Sequence, residues 1–153
     1  MTITPGENQE AIRMYAMCVE QADRISARRG QANQFYLSLE TLILGVPAFF
    51  GFSGAATDPL RITVLAVAGV TVSITWWLQL RSYRDLNAAK FKVITDLEKN
   101  YFEVRPFSAE WETLKTDKVK RWRPRYAELG SIERVVPAIF AVANLMVGVA
   151  AWL

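Results

Sequence analysis

Ile62–Leu80 reads ITVLAVAGVTVSITWWLQL and runs straight into Arg81-Ser82-Tyr83-Arg84. The stretch holds no acid, lysine or arginine. As a helix of about 1.5 Å per residue it matches a hydrocarbon core roughly 30 Å thick. A helix of a water-soluble domain keeps one polar face, and this one has none. Trp76 and Trp77 stand just before the first arginine, where amphipathic rings favour the membrane boundary. Two further stretches have similar character: Phe35–Ala56, interrupted by Glu40, and Val135–Leu153. Hydrophobic residues make up 52% of the chain and charged residues 22%, so the two kinds are strongly segregated.

These runs predict an all-α membrane protein with about three transmembrane helices and long helices that extend into a cytoplasmic helical collar. The expected division is an amphipathic helix over 1–34, a first span over 35–56, a short external turn over 57–61, a second span over 62–80, a helical region over 81–134 and a third span over 135–153. The first 34 residues have no continuous apolar core or small-residue cleavage site, so the first span is expected to act as its own insertion signal. Of the eighteen cations, Arg13, Arg24, Arg28 and Arg29 precede the first span, thirteen lie in 81–134, and Arg61 alone falls in the intervening loop. Three crossings put all but Arg61 on one side, which by the positive-inside rule is the cytoplasm of a bacterial inner membrane. The N-terminus is then inside.

Outside the spans, Ile12, Tyr15, Val19, Ala22 and Ile25 recur at helical spacing opposite Arg13, Glu20, Asp23 and Arg24. No break follows Leu80, so the second span is expected to continue as a helix to about Asn100. There Tyr83, Asn87, Lys90, Ile94, Leu97 and Tyr101 form a heptad-like stripe. Arg105-Pro106-Phe107 reads as a turn, with Ser108 as cap of a short helix. In the second span Ala66, Gly69 and Ser73 are small, as are Ala143, Asn144 and Gly148 in the third, and small residues let helices approach in lipid. Tyr83, Asn87, Lys90, Ile94, Leu97, Gly69 and Ser73 are the expected subunit contacts. The single cysteine, Cys18, reads as a small buried apolar residue.

The chain offers little chemistry. It has no histidine, which removes His-based acid–base catalysis, a Ser-His-Asp triad and His metal sites. One cysteine gives no thiolate cluster, and there is no phosphate-loop or dinucleotide fingerprint. The reading is of a non-enzyme with no catalytic residue, cofactor or metal. Glu40 is the one acid inside an expected span, where ionisable residues are expensive unless they face water or a partner. With Ser38 and Thr41 it is the candidate pore or gating group; a structural pairing, with Arg81 for example, is the alternative. The cluster Arg121, Trp122, Arg123 and Arg125 fits anionic headgroups better than nucleic acid, because it lies close to the third span.

Ala22–Arg29 (ADRISARR) with Asn33 and Phe35, Leu80–Glu98 (LRSYRDLNAAKFKVITDLE), Pro106–Leu114 (PFSAEWETL) and Ile132–Pro137 (IERVVP) resemble the RipA family of octameric bacterial inner-membrane proteins. The resemblance covers most of the chain from about Met14. It implies a ring-like homo-oligomer, an octamer, and supplies no catalytic residue. The layout is also similar to small multi-span effectors that perturb membranes. The leading expectation is therefore a homo-oligomeric membrane assembly acting as a gated pore or membrane-perturbing effector. The alternatives are a non-conducting scaffold that recruits a cytosolic protein, and a sensor of anionic lipid or envelope stress acting through Arg121–Arg125.

Overall fold

The computed structural model describes residues 5–51, 58–116 and 133–153. They form four helices: α1 (Pro5–Gly51), α2 (Pro59–Tyr101), α3 (Pro106–Thr116) and α4 (Val135–Ala150). No strand occurs among the described residues. The start of α2 follows from local chemistry. Asp58 Oδ1 accepts the Leu60 N–H at 3.0 Å, and its carbonyl accepts the Arg61 N–H at 2.9 Å. Pro59 takes the first helical position, where a missing N–H does no harm. As the uninterrupted pattern predicts, α2 continues past Arg81 and ends at Tyr101.

The chain divides into two compact units. The polar unit takes residues 1–28 and 83–127, and the apolar unit takes 29–82 and 128–153. In the polar unit, Cys18, Ala22 and Ile94 form the buried core, with Tyr15, Val19, Leu97 and Phe107 packed around them. Ala11 is also buried, while Ile12 is half exposed. The inward face of α1 is thus Ala11, Tyr15, Cys18 and Ala22, displaced from the face that hydrophobicity alone suggests. Small side chains at three of these positions let α1 approach α2 closely, which a bulkier isoleucine row does not.

Phe107 anchors α3, with its ring 5.8 Å from Phe91 and 6.3 Å from Tyr15. The expected turn at Arg105–Phe107 is already helix from Pro106, so Ser108 is the third helical residue and not the cap.

In the apolar unit Ala66, Gly69 and Ser73 form one face of α2 and are buried. A Cβ added to Gly69 would overlap the Asn144 side-chain amide, and one added to Gly148 would lie 2.9 Å from Ala66 Cβ. Only small residues permit that approach of α2 and α4. Trp76, expected as a boundary anchor, is instead buried. Its ring stacks on Tyr36 at 5.8 Å, and its Nε1–H donates to Asn33 Oδ1 at 2.8 Å. With its polar edge satisfied inside the unit, the indole has no need of the interface. Trp152 stays exposed and donates to Thr63 Oγ1 at 2.8 Å.

Among the described residues α2 is the one helix long and apolar enough to cross a membrane, with a mean hydropathy of 1.6 over its most apolar window. α4 is apolar but has 16 residues, about 24 Å of helix. The apolar half of α1 is diluted by Gln34, Ser38, Glu40 and Thr41.

Candidate functional site

Glu40 lies at the centre of the apolar unit and is completely buried. The helical repeat of α1 turns it toward α2 and α4. Ser73 Oγ donates to Glu40 Oε1, and Asn144 Nδ2 donates to Oε2 at 2.9 Å. The same Nδ2 group also donates to the Phe140 carbonyl at 2.9 Å, which fixes the amide's orientation. Ser73 and Asn144 are themselves buried. One carboxyl group therefore joins three helices through a hydroxyl and an amide. Gly69 makes this possible, since the Asn144 side chain occupies the space where a Cβ would sit. Buried polar groups are expensive to leave unpaired, so the three side chains act as a latch: removing one strands the others.

Ser38 and Thr41, grouped with Glu40 on sequence proximity, do not join it. Both are exposed, and the Thr41 hydroxyl donates to the Leu37 carbonyl at 2.7 Å. They belong to an outward row on α1 that runs Gln31, Gln34, Ser38, Thr41 and Gly45, all exposed. The spacing of three and four keeps that row on one side of the helix. Bulky Phe35, Leu37 and Leu42 flank it and are exposed too.

The polar unit buries a second carboxylate, Glu98. It accepts the Phe107 N–H at 3.0 Å, the Ser108 N–H at 2.9 Å, the Ser108 hydroxyl at 2.6 Å and the Tyr15 hydroxyl at 3.0 Å. A glutamate of α2 thus caps the first turn of α3, meeting N–H groups that have no partner within their own helix. Burial is the largest single influence on Glu98 and pushes its pKa up. The four hydrogen bonds together outweigh it, and the carboxyl is held below its usual range. Tyr15 is pushed up to about 12, first by burial, then by its hydrogen bond to Glu98 and that group's charge.

The stripe expected to join subunits is largely used inside the chain. Ile94 is fully buried on α1, Leu97 packs beside it, and Lys90 Nζ donates to Gln21 Oε1. Asn87 is half-buried, with its Oδ1 enclosed and without a hydrogen bond; Tyr83 is also half-buried. Gly69 and Ser73, placed in the same expected set, face α4 and α1 of the same chain. Arg121, Trp122, Arg123 and Arg125 lie outside the described residues. At the start of the C-terminal segment, Arg29 Nε approaches Glu133 Oε2 at 3.4 Å, an ion pair without hydrogen-bond alignment.

Two functional groups escaped the sequence reading. Asn144 was visible as a packing residue in an apolar run, but an amide there is also the natural donor to a lone acid in another apolar run. Glu98 directly follows Leu97 of the stripe; the stripe, drawn from Leu97 to Tyr101, passed over it and so over the turn of this end toward α3.

The described residues form an all-helical fold with one apolar helix long enough to span a membrane and a carboxylate satisfied by side chains of two other helices. Residues 12–153 match the octameric membrane protein family (8xMP), and the chain belongs to that family. The family resemblance read from the sequence is thereby confirmed, and with it self-association. No curated protein and no solved structure matches the chain.

Proposed function

We propose that the chain forms a ring-like octamer in the bacterial inner membrane that acts as a gated pore, with α1, α2 and α4 as its three spans and the N-terminus in the cytoplasm. The observation that carries this reading is the exposed row Gln31, Gln34, Ser38, Thr41 and Gly45 on α1. Lipid tails do not solvate polar side chains, whereas a water-filled path does; Gln31 and Gln34 stand at its mouth, and the Thr41 hydroxyl, bonded to the Leu37 carbonyl, keeps its oxygen for water. Eight copies of the row around an axis supply such a path, and the flanking Phe35, Leu37 and Leu42 meet lipid or neighbours. Glu40 then has a separate task. It sits on another face of α1 and ties that helix to α2 and α4, so the latch governs how α1 presents its row.

The test is ion flux through the purified octamer in liposomes. The expected result is flux that falls at least tenfold when Ser38 and Thr41 are both changed to Leu, with the octameric mass preserved. Glu40→Gln, which disturbs the latch and leaves the row intact, is expected to change gating rather than abolish flux. An octamer that passes no ions at any applied potential or pH would overturn the pore and favour a non-conducting scaffold.

A further inference from the structure

The polar unit leaves a second apolar surface uncovered. On α2, Leu86, Ala89 and Val93 are exposed and spaced three and four apart; Leu86 and Val93 each keep nearly half their surface. On α1, Met14 and Met17 are exposed to a similar degree. This unit carries charges on every turn, and in the topology proposed above it lies in water, so no lipid covers these side chains. Of the other apolar side chains of α2 here, Ile94 and Leu97 pack on α1, and Phe91, itself partly exposed, meets the ring of Phe107. Contiguous apolar surface left in water marks an interaction site, and the family's octameric assembly supplies the occupant.

We propose that the neighbouring copy in the octamer docks on the Leu86–Ala89–Val93 stripe of α2 through the Met14–Met17 ridge of its own α1. Register supports the match. Within one chain, Lys90 pairs with Gln21 and Glu98 with Tyr15, which fixes the height of α1 against α2. Val93 lies between the two α2 positions and Met17 between the two α1 positions. Rotation about an axis normal to the membrane keeps every copy at one height, so Val93 of one copy stands within about 3 Å of the height of Met17 of the next.

The charges agree with this register. Exposed Lys92 and Asp96 flank Val93, while exposed Glu20 and Arg13 flank Met17. Because α1 and α2 run in opposite directions, Lys92 comes level with Glu20, which also pairs with Arg24 of its own helix at 2.7 Å, and Asp96 falls within about a turn of Arg13. The contact joins two different surfaces, so it repeats around a ring instead of closing as a dimer. It rests on the octameric ring proposed above.

The experiment uses the full chain in membranes with Cys18→Ala as background. One copy carries Met17→Cys and a co-expressed copy carries Val93→Cys. A covalent dimer is expected on oxidation of the mixture and from neither variant alone, and a ladder of species is expected when one chain carries both cysteines. No dimer from an assembly of octameric mass would overturn the docking face and leave the octamer standing. A monomeric mass in nanodiscs for the natural chain would overturn the octamer itself. Dimers from Met17→Cys alone, an intrachain disulfide in the double variant, or linkage to another protein would each overturn the heterologous contact. Should Cys18→Ala disturb folding, Val93→Glu in the natural chain serves instead. It is expected to shift the mass from eight subunits to smaller species, and an unchanged octamer would count against the proposal.

Discussion

Each unit buries one glutamate completely, and the two are held in different ways. Glu98 faces the N-terminus of α3, where two backbone N–H groups, a serine hydroxyl and a tyrosine hydroxyl converge on it. Glu40 meets two side chains, Ser73 and Asn144, each from a different helix. Backbone donors are fixed once α3 forms, so Glu98 works as a cap that fastens a short helix to a helical pair. Side-chain donors depend on the distance between whole helices, so Glu40 registers the spacing of α1, α2 and α4. The first arrangement suits a permanent joint; the second suits a joint that a small helix displacement can open.

The strongest way to break this contrast is Gly69→Leu. The new side chain occupies the space of the Asn144 amide, so α2 and α4 must separate. A loss of about 3 kcal/mol or more is expected, read as a large fall in the unfolding midpoint of the purified protein and dispersal of the octamer. Asn144→Leu is milder in shape but leaves Glu40 Oε2 without its donor, at a cost of about 1–3 kcal/mol. Thermal unfolding in nanodiscs measures it. A second substitution, Glu40→Leu, should recover part of the loss, because removing both partners is cheaper than stranding one. Absence of any recovery would mean that the two side chains are not coupled.

Glu98→Gln sharpens the other side of the comparison. It keeps the shape and weakens the cap by about 1 kcal/mol. The pH dependence has a definite sign. Because the folded carboxyl is held below the unfolded value of 4.5, the natural chain gains stability above that pH and loses it as the pH falls through the folded value. The Gln variant lacks this acid limb, which parallel denaturation curves will show. At the alkaline end Tyr15 behaves oppositely. Its folded value is raised from 10.0 to about 12, so its contribution is complete below pH 10 and is lost as pH rises through that interval. Tyr15→Phe removes that loss, which a tyrosinate absorbance titration against the natural chain detects. The smallest effect is expected from Trp152→Phe, which deletes one exposed hydrogen bond to Thr63 and should cost about 0.5 kcal/mol with no change in octameric mass.

Much of the architecture was legible because it depends on local pattern. The apolar run Ile62–Leu80, the unbroken passage into Arg81 and the Asp58-Pro59 helix start need no distant partner to be recognised. The absence of histidine and the cysteine count restrict the chemistry in the same way. The site was legible only in part. Glu40 stood out as an acid among apolar residues, but its grouping with Ser38 and Thr41 followed chain proximity, and the helical repeat separates them onto different faces. The stripe at Tyr83–Leu97 was visible as a face needing cover, yet spacing does not say whether the cover comes from the same chain or another.

The sequence by itself determined the helices, their apolar and polar division and the family, since periodicity and composition are properties of the chain alone. Tertiary structure decided which faces meet. It brought Asn144 to Glu40 across 104 positions of sequence, gave Glu98 to the first turn of α3, and moved Trp76 from the boundary into the bundle. The physical reason is that a polar group is neutral toward many partners in sequence, but once buried it must be satisfied by whichever donor the packing delivers.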